Sequence, residues 1–130
     1  VRDYRDLKVW EKAHQLTLDV YRGTQSFPKE ELFGLTSQIR RASVSIEANL
    51  AEGCGRRSDG EMGRFIQIAM GSGTELSCHL LLARDLGLIK AEEYSGLYER
   101  VTEVLRMLSA LSHKVRHPIT GATEELKAKG

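Results

Sequence analysis

Residues 35–56 read LTSQIRRASVSIEANLAEGCGR. Leu32, Leu35, Ile39, Ala42, Ile46 and Asn49 recur here at alternating intervals of three and four, and Gly53 continues the series. That spacing lays them along one stripe of a helix with a period near 3.5. Leu50 widens the stripe, whereas Arg40, Arg41 and Glu47 fall off it and are expected to face water. Ala42, Ser43, Ala48 and Ala51 are small enough for another helix to approach closely. Asn49 puts an amide where an apolar side chain is expected. Buried, it needs partners, because an unpaired polar group costs roughly 1–3 kcal/mol. Glu52 lies three residues on and shares its face. Gly53 and Gly55 are expected to stop the helix, glycine being favoured just past a helix end.

Outward from this helix the chain repeats the pattern. Val9, Ala13, Leu16 and Val20, widened by Trp10 and Tyr21, mark a first amphipathic helix over about 7–24, with Asp3 or Asp6 as its cap. Phe27-Pro28-Lys29-Glu30-Glu31 reads as a turn or helical lead-in, and the second helix is expected over about 31–53. Ser58 followed by Glu61 fits a capping box that opens a third helix over about 59–86. Its expected seam is Phe65, Ile68, Ser72, Glu75, His79, Leu82 and Leu86, flanked by Ala69, Leu76 and Ala83, with Gly87 as the stop. Glu92 and Glu93 suit the positive end of a fourth helix over about 91–116. Its stripe is Tyr94, Leu97, Val101, Leu105, Leu108, Leu111 and Val115. Pro118 limits it, and 118–130 reads as a flexible tail. Four amphipathic helices with short links predict an all-α, antiparallel up-down-up-down four-helix bundle over 1–117.

Composition sets the bounds. The chain of 130 residues is 41% hydrophobic and 28% charged, which fits one globular domain with a proper core. No apolar run is long enough to span a bilayer and no leader pattern is present, so a cytoplasmic location is expected. Cys54 and Cys78 read as isolated thiols rather than a disulfide frame. The formal net charge is only +1, whereas a dedicated nucleic-acid domain usually carries a large basic excess. Residues 35–57 hold four Arg against two Glu, and residues 58–86 hold two Arg against four acids. Any basic surface is therefore local.

Few residues carry chemistry. Glu11 and His14 form one Glu-x-x-His step, but a di-iron bundle needs two such steps and two further carboxylates. Glu75 and His79, four apart, are expected to join Asn49, Glu52 and Ser72 in a buried polar cluster. His113 and His117 make a weak metal pair, explained as well by a cationic helix end. Gly71-Ser72-Gly73 lies mid-helix without a preceding strand and so is no phosphate loop. No metal, cofactor or catalytic group is expected, and the chain reads as a non-enzyme. The remaining functional candidates are basic: Lys8, Lys12, Arg40, Arg41, Arg56, Arg57 and Arg64. If they converge in an oligomer their charges add and attract phosphates; otherwise the arginines pair with acids on neighbouring helices or subunits.

Gln38-Ile-Arg-Arg-Ala42, Asn49-Leu-Ala-Glu-Gly53 and Gly55-Arg56 also resemble a family signature, as do Asp6-Leu-Lys-Val-Trp10 and the Arg64-Phe65, Ile68-Ala69, Gly71-Ser72 and Glu75-Leu76 steps. The family is that of the bacterial four-helix-bundle proteins encoded by intervening sequences in 23S ribosomal RNA genes. The resemblance covers about residues 6–115. It implies a non-enzymatic bundle that assembles as a homopentamer, and its genomic setting suggests RNA binding. A related branch assists diversity-generating retroelements, binding a reverse transcriptase and nucleic acid through a basic pentamer surface. Where the family often has proline this chain has Glu47, so a straighter helix is expected here. Two function classes follow: an RNA-binding oligomer, or a protein-interaction scaffold whose arginines make intersubunit contacts.

Overall fold

A computed structural model describes residues 3–117; the expected tail over 118–130 lies outside the described residues. Within them the chain forms α1 (Lys8–Gly23), α2 (Leu35–Cys54), α3 (Asp59–Asp85) and α4 (Ala91–Arg116), with 3-10 turns at Tyr4–Asp6 and Lys29–Glu31. Each helix packs antiparallel to the next, and α4 closes the bundle against α1. The architecture is the up-down-up-down four-helix bundle that the periodicity predicts.

The core is the set of stripes meeting on the bundle axis. Val9, Ala13, Leu16 and Val20 come from α1, and Leu35, Ile39, Ala42, Ile46 and Leu50 from α2. Leu97, Val101, Val104, Leu108 and Val115 come from α4, with Leu105 and Leu111 packed against them. Each fully buried large aliphatic side chain contributes roughly 1.5–3 kcal/mol relative to exposure. Thr17 is buried among them without loss, because its hydroxyl donates to Ala13 O (3.1 Å) and to Ser43 O (3.2 Å) across the α1–α2 contact.

The structure corrects the register of α3. Its buried stripe is Met62, Ile66, Ala69, Gly73, Leu76, Leu80 and Ala83, together with Gly63 and Ser72. Of the expected seam only Ser72 is buried; Ile68, Leu82 and Leu86 face outward and Phe65 is only partly covered. The reason is that α3 carries two interleaved apolar stripes at the same 3–4 spacing. The stripe holding Glu75 and His79 is the more polar and is the one left to solvent. Gly73 shows how tightly the buried stripe packs: a Cβ there would meet Leu105 Cδ2 at 2.8 Å.

The helix ends have identifiable chemistry. The Ser58 hydroxyl accepts from the Glu61 amide (3.1 Å) and opens α3. At its far end Gly87, with φ of +74°, places the Leu88 amide on Ala83 O and its own amide on Arg84 O, the paired bonds of a Schellman stop. Helix α2 begins at Leu35 rather than near 31, behind Gly34, so Leu32 stands off the seam and is 47% exposed. At its other end α2 continues through Gly53 and Cys54, with Gly55 as the cap. Gly53 is there for closeness, since a Cβ would lie 3.1 Å from Phe65 Cβ. Asp3 caps the first 3-10 turn, accepting from the Arg5 amide, while α1 has Leu7 at its N-cap position and so no side-chain cap. The Arg5 side chain and amide hold the Asp3 carboxyl below the usual carboxylate range. Cys54 is buried and Cys78 exposed, and they form no disulfide.

Candidate nucleic-acid interface

The antiparallel order separates the basic residues into two groups. Arg40 and Arg41 lie near the start of α2, and Arg56 and Arg57 lie just past its end. Sixteen residues of helical rise put Arg40 and Arg56 about 24 Å apart, so within one chain the expected set does not converge.

At the end of the bundle that carries the start of α1, Lys8, Arg57 and Arg64 are exposed. None of them pairs with a carboxylate among the described residues. The last turn of α4 reaches the same end: a side chain at Gly63 would meet Arg116 Cγ at 3.8 Å. That turn adds Lys114 and Arg116, and the rings of His113 and His117 lie 4.4 Å apart beside them. Arg56 is more tied down: it donates to Glu52 Oε1 (3.1 Å) and its guanidinium lies 4.7 Å from the Phe65 ring centre. Asp59 and Glu61 in the first turn of α3 temper the field. Lys12 is paired with Glu103 at 3.2 Å.

The other group borders a groove of about 670 Å³, lined by Tyr21, Phe33, Thr36, Arg40, Arg41 and Val44 among others. Arg40 was expected to face water. It is instead half-buried, its Nε donating to Thr24 Oγ1 (2.9 Å) and its guanidinium lying 4.7 Å from the centre of the Tyr21 ring. Arg41 is exposed and has no acidic partner among the described residues. Phe33 is 93% exposed. Thr36 is 3% exposed, and its hydroxyl is the buried side-chain oxygen left without a hydrogen bond among the described residues. Phe33 and Thr36 were not singled out from sequence. The available signal was Phe33, placed ahead of Gly34 and outside any helical stripe.

The expected buried polar cluster does not form as one unit. Asn49 donates to Ser45 O (2.8 Å) and Ser45 Oγ (3.0 Å), and the Ser45 and Ser72 hydroxyls meet at 2.8 Å, bridging α2 and α3. Glu52 is exposed on Arg56, and Glu75 is exposed beside His79 (3.3 Å). Helical geometry turns 52 and 75 outward once Leu50 and Leu76 take the core. Glu47, also expected in water, is half-buried and accepts from His14 Nδ1 at 2.9 Å. His14 in turn stacks on Trp10 with ring centres 4.9 Å apart. Helix α2 runs unbroken through this position. Among the described residues no group of three or more His, Cys, Asp or Glu side chains is placed to hold a metal ion. No helix among them is long and apolar enough to cross a membrane.

These features define an all-α bundle with separated basic surfaces and several exposed apolar side chains on its longest helix. The chain belongs to the 23S rRNA-intervening sequence protein family, whose profile matches residues 5–110. A crystal structure of a protein of unknown function from the S23 ribosomal protein family of Bacteroides thetaiotaomicron has the same fold. Its TM-score is 0.76 at 23% identity, over 81% of this chain and 95% of that one. No curated protein matches the sequence.

Proposed function

We propose that this chain is a non-catalytic bundle that assembles with copies of itself and binds RNA through its basic end. The observation that supports RNA binding most directly is the gathering of Lys8, Arg57, Arg64, Lys114 and Arg116 at one end, none with a carboxylate partner among the described residues. Exposed cations are what a phosphate backbone recruits, and release of its counterions makes the binding salt-dependent. Support for assembly comes from α3, where Leu81, Leu82 and Leu86 stand exposed together near its end and Ile68 stands exposed nearer its start; exposed apolar side chains that gather on one surface mark interaction sites. A ring of copies multiplies the basic ends, which compensates for a net charge of only +1 per chain.

The test is fluorescence anisotropy of nuclease-treated protein with labelled RNA across a salt series, for the wild type and for Arg57→Glu/Arg64→Glu. Each lost phosphate contact lowers the slope of log affinity against log salt by about 0.7–0.9. The double variant is expected to lose most binding while keeping its helical circular dichroism. Unchanged binding would sink the proposal. The second reading is a protein-interaction scaffold without nucleic acid, favoured by the same exposed α3 side chains. It predicts no RNA binding even at low salt, and a smaller species on a sizing column for Ile68→Lys/Leu82→Lys.

A further inference from the structure

The groove at the start of α2 combines features that the basic end does not have. An aromatic ring in a folded chain is ordinarily buried, yet Phe33 presents nearly all of its surface to solvent. Tyr21 supplies a second ring, already held in place by Arg40. Arg41 stands on the same groove, and among the described residues no acid pairs with it and no carboxylate side chain lines the groove. Glu31, in the 3-10 turn ahead of α2, accepts from the Leu35 amide (3.4 Å). Thr36 lines the groove with a buried, unsatisfied hydroxyl. A groove occupant with a polar edge offers that hydroxyl the partner it lacks among the described residues. Leaving it unpaired is costly in the free protein.

A flat π-faced group, an adjacent negative charge and a hydrogen-bonding edge are the complement of this surface. We infer that the groove seats an unpaired nucleotide of a bound RNA strand, its base stacked on Phe33 and its phosphate held by Arg41. The inference rests on the RNA-binding reading above and assigns to this groove a preference for single-stranded over paired RNA. Duplex RNA keeps its bases stacked on one another, so recognition through a protein ring requires bases that are splayed out. An acidic peptide would satisfy Arg41 but leaves the exposed ring without a stacking partner, which is why the nucleotide is the favoured occupant.

The experiment compares a short labelled oligouridine with a blunt RNA duplex by anisotropy, for wild type, Phe33→Ala, Phe33→Trp and Arg41→Gln. Because Phe33 is almost fully exposed, its substitution leaves the thermal melt unchanged, which controls for folding. Phe33→Ala is expected to weaken oligouridine binding about tenfold, the loss of one stacked base, and to leave duplex binding untouched. Phe33→Trp is expected to retain binding, with its indole emission quenched as RNA is added. Arg41→Gln is expected to lower the salt slope for oligouridine by about one. If wild-type protein binds RNA while Phe33→Ala binds oligouridine equally well, the groove is not the nucleotide seat and the inference alone fails. The same holds if Phe33→Ala shifts only the elution volume on a sizing column, since the groove then seats protein. If wild-type protein binds neither RNA at low salt, the RNA-binding reading falls and this site falls with it.

Discussion

Two glycines in α3, two residues apart, should respond oppositely to alanine. Glycine in a helix interior costs about 1 kcal/mol relative to alanine, chiefly through the extra freedom of the unfolded chain. At Gly71 nothing lies within 4 Å of where a Cβ would sit. Gly71→Ala should therefore collect most of that term and stabilise by about 0.5–1 kcal/mol. At Gly73 the new Cβ would stand 2.8 Å from Leu105 Cδ2, 3.3 Å from Leu105 Cγ and 3.8 Å from Ile46 Cδ1. Leu105 must shift within a packed core, an overpacking cost of about 1–3 kcal/mol. Set against the same propensity gain, Gly73→Ala should destabilise by up to about 2 kcal/mol. Urea unfolding followed by circular dichroism resolves the pair. With a slope of about 1–3 kcal/mol per molar, Gly71→Ala should raise the midpoint by roughly 0.5 M and Gly73→Ala should lower it. Equal stabilisation of both would refute the packing argument. A destabilised Gly71→Ala in dilute protein would show that the outer face of α3 is not open within the chain. Loss of stability only at high concentration would place Gly71 in a contact between copies.

Further outcomes follow from single residues. Thr36→Val removes the unpaired hydroxyl at nearly constant shape and should stabilise the free protein by about 1 kcal/mol in thermal or urea unfolding. Ser58→Ala removes the α3 cap and should cost about 1 kcal/mol, with amide exchange accelerating first around Glu61. Gly87→Ala forces alanine into the left-handed region and should cost about 1–2 kcal/mol; an unchanged melt would contradict the Schellman geometry. A double-mutant cycle on His14→Ala and Glu47→Ala should return a coupling of about 0.5 kcal/mol, small because the imidazole is partly exposed.

The bundle was legible because α1, α2 and α4 each carry one apolar stripe, and Ser58-x-x-Glu61 and Gly87 punctuate α3. What misled was the symmetry of α3 itself. Ile66, Leu76 and Leu80 and the competing Ile68, Leu82 and Leu86 obey the same spacing, and spacing alone does not choose between them. Polarity does, because burying the first set leaves Glu75 in water. The expected buried cluster of Asn49, Glu52, Ser72, Glu75 and His79 follows from the other stripe; what the chain forms is a link from Asn49 to Ser72 through Ser45, a residue outside that set. Arg40 and Glu47 were read as surface residues because sequence shows only their own helix. Their partners, Thr24, Tyr21 and His14, are on or at the end of α1 and become neighbours through tertiary packing. Phe33 and Thr36 escaped for a related reason: a groove is a property of two elements and a bend, and no periodicity encodes it.

The two cysteines give the bundle a built-in clock and its own reference. Cys78 is open to a thiol reagent in the native protein, whereas Cys54, buried at the end of α2, is reached only when that end of the α2–α3 pair opens. Alkylation of Cys78 then reports the intrinsic reactivity of reagent and buffer, and the lag of Cys54 behind it reports how often the closely packed Gly53–Phe65 end comes apart. One mass spectrum over time thus reads local opening without any engineered label. A bound RNA or a neighbouring copy would register as a change in one thiol's rate and not the other's.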